Sequence, residues 1–147
     1  MSNLAKIKEC SVSEPMRTLC VDYNSEALTV LSKYLESEGH HVVAVTSIDE
    51  AKKALDTEDP FHYCICEYQM PEMDGDDFLW HAATVNSKTI RVLTAGFAGM
   101  NWHVKSNIDK LCSIFIEKPF LLPELSLKLS TYRHPVESHA AVHEAVC

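Results

Sequence analysis

The sequence has no apolar run approaching the length of a membrane span, and its first residues, MSNLAKIKEC, lack the apolar core of a signal peptide. Those two absences argue against membrane insertion and make a cytoplasmic location the expectation. Basic residues are scarce: 13 Lys and Arg stand against 21 Asp and Glu, a formal net charge of -8, with no basic stripe or zinc-finger spacing. A surface of that sign repels a phosphate backbone, so nucleic acid is not an expected partner. Glycine is rare, at four residues, and with 46% hydrophobic and 23% charged residues the composition is globular rather than low-complexity. Near-identical repeats are also absent. A chain of 147 residues has room for one full core and not for two ordinary domains.

What is present is an alternation of two periodicities. Thr18 to Val21 form a short apolar run, after which Ala27, Leu28, Leu31, Tyr34 and Leu35 recur at helical spacing until Gly39. His41 to Val45 is β-branched and strand-like, and Ser47 with Glu50 makes a capping box before Ile48, Ala51, Ala54 and Leu55. Tyr63 to Cys66 leads into the turn Pro71 to Gly75, and Phe78, Leu79, Ala82, Ala83 and Val85 mark the next helix. Ile90 to Leu93 reads as a fourth strand, Trp102, Val104, Ile108 and Leu111 as a fourth helix, and Ser113 to Ile116 as a fifth strand. Leu122, Leu125, Leu129 and Tyr132 mark a last helix. Five strand–helix units imply a parallel sheet covered on both faces, a three-layer α/β domain.

In such a sheet the ligand crevice lies at the carboxyl ends of the strands. Asp22 ends the first run, Glu67 the third, Thr94 the fourth, and Lys118 closes the fifth just before Pro119. Four polar groups are therefore expected on one edge. Any one of them alone reads as a strand end facing water; their shared position reads as a site.

The stretches LCVDYN, CEYQMPEMDG, VLTAG and FIEKPF, in that order and spacing, resemble the receiver domains of two-component response regulators, the chemotaxis-regulator-like fold. The resemblance covers about Arg17 to Tyr132. It divides the chain into an extension (1–16), a receiver-like domain (17–132) and a tail or short helix (133–147). It also implies a doubly wound (βα)5 sandwich with strand order 2-1-3-4-5. In that family a pair of acids after strand one and an aspartate after strand three hold Mg²⁺, and the aspartate accepts a phosphoryl group from a histidine kinase. A hydroxyl after strand four and a lysine after strand five contact that group. The resemblance places Asp22 at the first acid, Glu67 at the phosphoacceptor, Thr94 at the hydroxyl, Lys118 at the lysine and Phe115 at the switching aromatic.

Two residues depart from the pattern: the second acid is Tyr23, and the acceptor is Glu67. Glutamate carries its carboxylate one methylene further out, ~1.5 Å, and a misplacement of about 1 Å costs on the order of a hundredfold in an in-line displacement. A phenol at Tyr23 removes an oxygen anion from a Mg²⁺ shell, leaving Asp22, Glu67 and the carbonyl of Gln69 as weak candidates. No cofactor is expected, and Mg²⁺ binding is expected to be weak or absent. The longer carboxylate can also reach toward Lys118 or Thr94, as a local ion pair or as a partial mimic of a phosphoryl group.

These residues make a non-enzymatic, stand-alone pseudo-receiver the expectation, as a monomer or weak homodimer. Its signalling partner is expected on the face of the fourth helix, fifth strand and fifth helix, including parts of 100–110, Phe115 and 123–132. Two alternatives use the same scaffold: a phosphoacceptor with weak Mg²⁺-dependent phosphorylation, and a thiol or metal sensor. For the second, Cys64 and Cys66 share one face of strand three with Cys20 on the adjacent strand, and His139, His143 and Cys147 stand at i, i+4, i+8 as Zn²⁺ or Ni²⁺ ligands. Buried reduced thiols, Cys112 among them, and a plain terminal helix or tail are the commoner readings. Met70, Met73 and Met100 read as gap fillers; Trp80 and Trp102 read first as core, with exposure at a partner surface as the alternative.

Overall fold

The computed structural model describes residues 16–57, 59–96 and 112–132. Within them the strands are β1 (Arg17–Val21), β2 (His41–Val45), β3 (Tyr63–Glu67), β4 (Ile90–Ala95) and β5 (Ile114–Glu117). The helices are α1 (Ser25–Ser37), α2 (Ile48–Thr57), α3 (Gly75–Val85) and α4 (Leu122–Thr131). All strand pairs are parallel, in the order β2-β1-β3-β4-β5, as expected. The expected helix over Trp102, Val104, Ile108 and Leu111 lies outside the described residues, as do Met100 and the tail residues His139, His143 and Cys147.

Alternation along the strands builds two cores. Leu19, Val21, Cys64, Cys66 and Leu93 face α2 and α3, meeting Ile48, Ala51, Phe78, Leu79 and Ala82. Cys20, Tyr63, Ile65, Val92 and Ile116 face α1 and α4, meeting Leu28, Leu35, Leu125 and Leu129. Helices on both faces make the three layers, and each fully buried Leu, Ile or Phe contributes about 2 kcal/mol of transfer free energy.

Local chemistry sets the helix ends. The Asn24 side chain accepts from the amides of Glu26 and Ala27 and starts α1. Gly39, at φ 95°, ends it: its amide bonds the Glu36 carbonyl, and the His40 amide bonds the Leu35 carbonyl, a Schellman arrangement that asks for glycine. Ser47 accepts from the Glu50 amide at 3.1 Å, half of the expected capping box. The Tyr63 hydroxyl donates to the carbonyls of Leu129 and Tyr132, satisfying the end of α4.

The expectations for Trp80, Val85 and Ala27 fail, while Cys20 stands on the strand beside Cys64 and Cys66 as expected. Trp80 is 62% exposed, not core: at 100° per residue it stands roughly 150° from the centre of the Phe78, Leu79 and Ala82 stripe. Val85, at the open end of α3, and Ala27, at the start of α1, are also exposed. Cys20 lies beside β3 but on the opposite face from Cys64 and Cys66, because its register partner is Ile65.

Candidate functional site

Backbone pairing continues one residue beyond most strands and so aims the polar groups. The Asp22 amide bonds the Val45 carbonyl, the Tyr68 amide the Thr94 carbonyl and the Lys118 amide the Ala95 carbonyl. Glu67 and Thr94 are direct register partners across β3 and β4. In consequence Asp22, Glu67, Thr94 and Lys118 meet at the carboxyl edge of the sheet.

Their contacts form one network. The Thr94 hydroxyl donates to Glu67 Oε2 at 3.0 Å, and Lys118 Nζ lies 3.4 Å from that same oxygen. Lys118 Nζ also donates to Asp22 Oδ2 at 3.2 Å. The Asn24 amide holds the other oxygen, Asp22 Oδ1, at 3.0 Å. Asp22, Glu67 and Thr94 are buried, while Lys118 is partly exposed. One ammonium thus bridges two carboxylates.

Burial raises the Glu67 carboxyl above its ordinary pKa; the field of Lys118 and the Thr94 hydrogen bond pull it back, and Asp22 pushes it up again. For Lys118, burial alone favours the neutral amine, but Glu67 and Asp22 outweigh it and raise the ammonium's pKa. The proton therefore stays on Lys118 near neutrality, and Glu67 collects its own as the pH falls.

Not every expected residue joins the cluster. Tyr23 is 53% exposed and Gln69 is exposed. Phe115 is half-buried against the core formed with α2 and α3. The donor set does not fit a magnesium ion as it stands: the oxygens of Asp22 and Glu67 that would bridge one are bridged by Lys118, and Tyr23 supplies a phenol instead of a carboxylate.

Three supporting residues escaped the sequence reading. Asn24 both caps α1 and orients Asp22, a role its place in a D-x-N step before a helical pattern could have suggested. Gly75 opens α3 so close to β3 that an added Cβ would collide with the Glu67 carbonyl. Glu72 accepts the Ile48 amide at 3.0 Å, tying the loop after Glu67 to the start of α2. A groove of about 720 Å³ opens beside the cluster, its walls including Ala27, Val30, Leu31 and Phe120.

The thiols are placed against reactivity. Cys20, Cys64, Cys66 and Cys112 are free and buried; burial pushes Cys64 up to about 12, and Cys20 and Cys66 well above the ordinary thiol value. No group of three or more His, Cys, Asp or Glu able to hold a metal occurs among the described residues, nor a helix long and apolar enough to cross a membrane.

Residues 18–130 match the model of the response regulator receiver domain. The response regulator receiver protein CpdR of Brucella abortus is 28% identical over 111 residues, 74% of this chain and 89% of that protein. The sensor histidine kinase GacS of Pseudomonas protegens is 40% identical over 68 residues, 46% of this chain and 7% of the kinase. Among solved structures, a CheY-like response regulator receiver domain protein from Methanospirillum hungatei JF-1 superposes with a TM-score of 0.71 at 19% identity, covering 90% of this chain and 99% of that one. The non-phosphorylated HemR receiver domain of Leptospira biflexa gives a TM-score of 0.68 at 22% identity over 79% of this chain and 92% of that one.

Proposed function

The chain belongs to the response regulator receiver domain family, and on that premise we propose that it is a pseudo-receiver, a non-enzymatic module that signals by binding a protein partner without aspartyl phosphorylation. One observation carries the reading. The carboxylate at the acceptor position is already held by the Thr94 hydroxyl and the Lys118 ammonium, the two groups that the receiver resemblance assigns to a phosphoryl group. Glu67 is thus an internal occupant of the place a phosphoryl group would take. Its charge is at most one unit, against about two for a phosphoryl group, so it stands in for that group only in part.

Phosphotransfer to Glu67 is disfavoured three ways. One of its two oxygens, Oε2, is engaged by internal donors, its carboxyl is displaced by a methylene from the position an aspartate would hold, and Lys118 neutralises one oxygen each of Asp22 and Glu67. Output then leaves through a surface, for which the region of Phe115, Lys118, Pro119, Glu124 and Lys128 is the candidate. These residues line a hollow of about 570 Å³ beside β5 and α4.

The test is intact-mass spectrometry after incubation with a small phosphodonor and Mg²⁺, comparing the parent with a Glu67→Asp, Tyr23→Asp double variant. The parent is expected to stay unlabelled and the double variant to gain one phosphoryl adduct. A labelled parent would make the chain a working phosphoacceptor and end the proposal.

A further inference from the structure

Trp80 belongs to neither core and takes no part in the acid–lysine cluster. Tryptophan is highly buried on average, yet this one is 62% exposed. It stands on the outward side of α3, in the layer shared with α2 and on the opposite face of the sheet from α1 and α4. Helix spacing fixes its neighbours: Asp76 and Asp77 stand at i−4 and i−3, Ala83 and Thr84 at i+3 and i+4. Helical side chains lean toward the N-terminus, so the indole is directed toward the turn that carries the two aspartates. Ala83 and Thr84, on its other side, are too short to cover it.

The charge around the ring is of one sign. From Glu72 to Val85 the chain holds four acids, Glu72, Asp74, Asp76 and Asp77, and no Lys or Arg. Among the described residues none of the four is ion-paired. Glu72 and Asp74 have neutral donors instead, the Ile48 amide at 3.0 Å and the Tyr68 hydroxyl at 3.4 Å. Crowding shows at Asp76: burial raises its carboxyl above the ordinary value, Asp77 raises it further, backbone hydrogen bonds oppose this, and Asp74 adds to the rise. A cation arriving from outside relieves that repulsion and meets a ring whose face is electrostatically negative.

A metal ion is not the cation this surface fits, since no group of three or more His, Cys, Asp or Glu able to hold one occurs among the described residues. Between the two basic side chains, an ammonium is a compact, strongly hydrated charge. A guanidinium is planar: it stacks on an indole and still donates to a carboxylate through its edge. We propose that the outward face of α3, centred on Trp80 and edged by Asp76 and Asp77, docks an arginine-bearing basic segment of a protein partner. The guanidinium lies on the indole and donates to the Asp77 carboxylate, and flanking basic residues of the segment meet Asp74 and Glu72. The face shares no residue with the Glu67 cluster or with the hollow beside β5 and α4. It therefore serves a phosphorylated receiver and a pseudo-receiver alike.

The experiment is an NMR titration of the isotope-labelled full chain with a short synthetic peptide that carries two arginines and a lysine among glycine and serine. A counterpart with glutamine at the basic positions is the neutral probe. The basic peptide is expected to shift the Trp80 indole N–H, assigned by its absence in Trp80→Ala, together with the amides at the start of α3; the neutral probe is expected to shift neither. Trp80→Ala is expected to weaken binding about tenfold and Asp77→Asn about threefold. Both side chains are exposed, so neither change disturbs the core. Glu36→Gln removes the same charge from an exposed site on α1, in the opposite layer, and is expected to change affinity by less than about twofold. Should Trp80→Ala bind as the parent does, or Asp77→Asn and Glu36→Gln weaken binding equally, the peptide answers to net charge alone and the docking face is refuted. Movement of the same signals on raising the protein concentration without peptide would assign the face to a second copy of this chain and equally overturn the proposal.

Discussion

Replacing Lys118 by methionine removes the ammonium that joins Asp22 to Glu67 and leaves the packing of the stem largely in place. The two carboxylate side chains are 10% and 9% exposed and the lysine side chain 33%. Breaking a fully buried pair by deleting one partner costs ~3–5 kcal/mol, and the partial exposure of Lys118 reduces that to about 2–3 kcal/mol at pH 7. The cost has a pH signature. Without the ammonium, Glu67 rises further above its unfolded pKa, so the variant binds more protons when folded and its stability falls as the pH climbs from the ordinary carboxylate range toward the folded value. Between pH 5 and pH 7 the penalty is expected to grow by about 1.4 kcal/mol for each unit of added pKa shift spanned. Urea unfolding of Lys118→Met against the parent at both pH values measures it, and Glu67→Gln in the same background is expected to recover more than half. A penalty under ~0.5 kcal/mol at pH 7, the level of an exposed surface pair, or one identical at both pH values, would refute the claim that Lys118 neutralises two buried carboxylates.

Gly75→Ala forces a methyl group against the Glu67 carbonyl, and a cost of about 2–3 kcal/mol is expected in urea unfolding, with α3 displaced from β3. Tyr63→Phe leaves the last carbonyls of α4 without their hydroxyl donor; a loss of about 1–2 kcal/mol is expected, concentrated as faster amide exchange in α4. Native thiol labelling at pH 8 is expected to leave Cys20, Cys64 and Cys66 unmodified until global unfolding, read by mass; rapid labelling of any of the three would revive a thiol-sensing role.

The sheet was legible in the sequence because each strand is a short, mostly apolar segment and each described helix carries a 3.6-residue stripe, and those two signals survive tertiary packing. The strand ends followed from the crevice rule, and so did the company of Asp22, Glu67, Thr94 and Lys118. Reading a list of apolar letters failed at Trp80, Val85 and Ala27. Hydrophobicity was counted there without its angle around the helix, and one residue's rotation moves a side chain from core to water. The neighbouring strand of Cys20 was read correctly, but its face was not legible: adjacency of strands says nothing about face until the register is known, and register puts Cys20 on the opposite face from Cys64 and Cys66.

Composition and order along the chain settle that this is a doubly wound α/β domain with a glutamate at the end of its third strand and a tyrosine after Asp22, because hydrophobic period and residue identity are local properties. Folding decides what that glutamate does. Register pairs it with Thr94, a loop brings Lys118 from the far end of the domain onto the same oxygen, and burial sets its charge. Those are distances between residues remote in sequence and a local dielectric, and neither exists until the chain has folded.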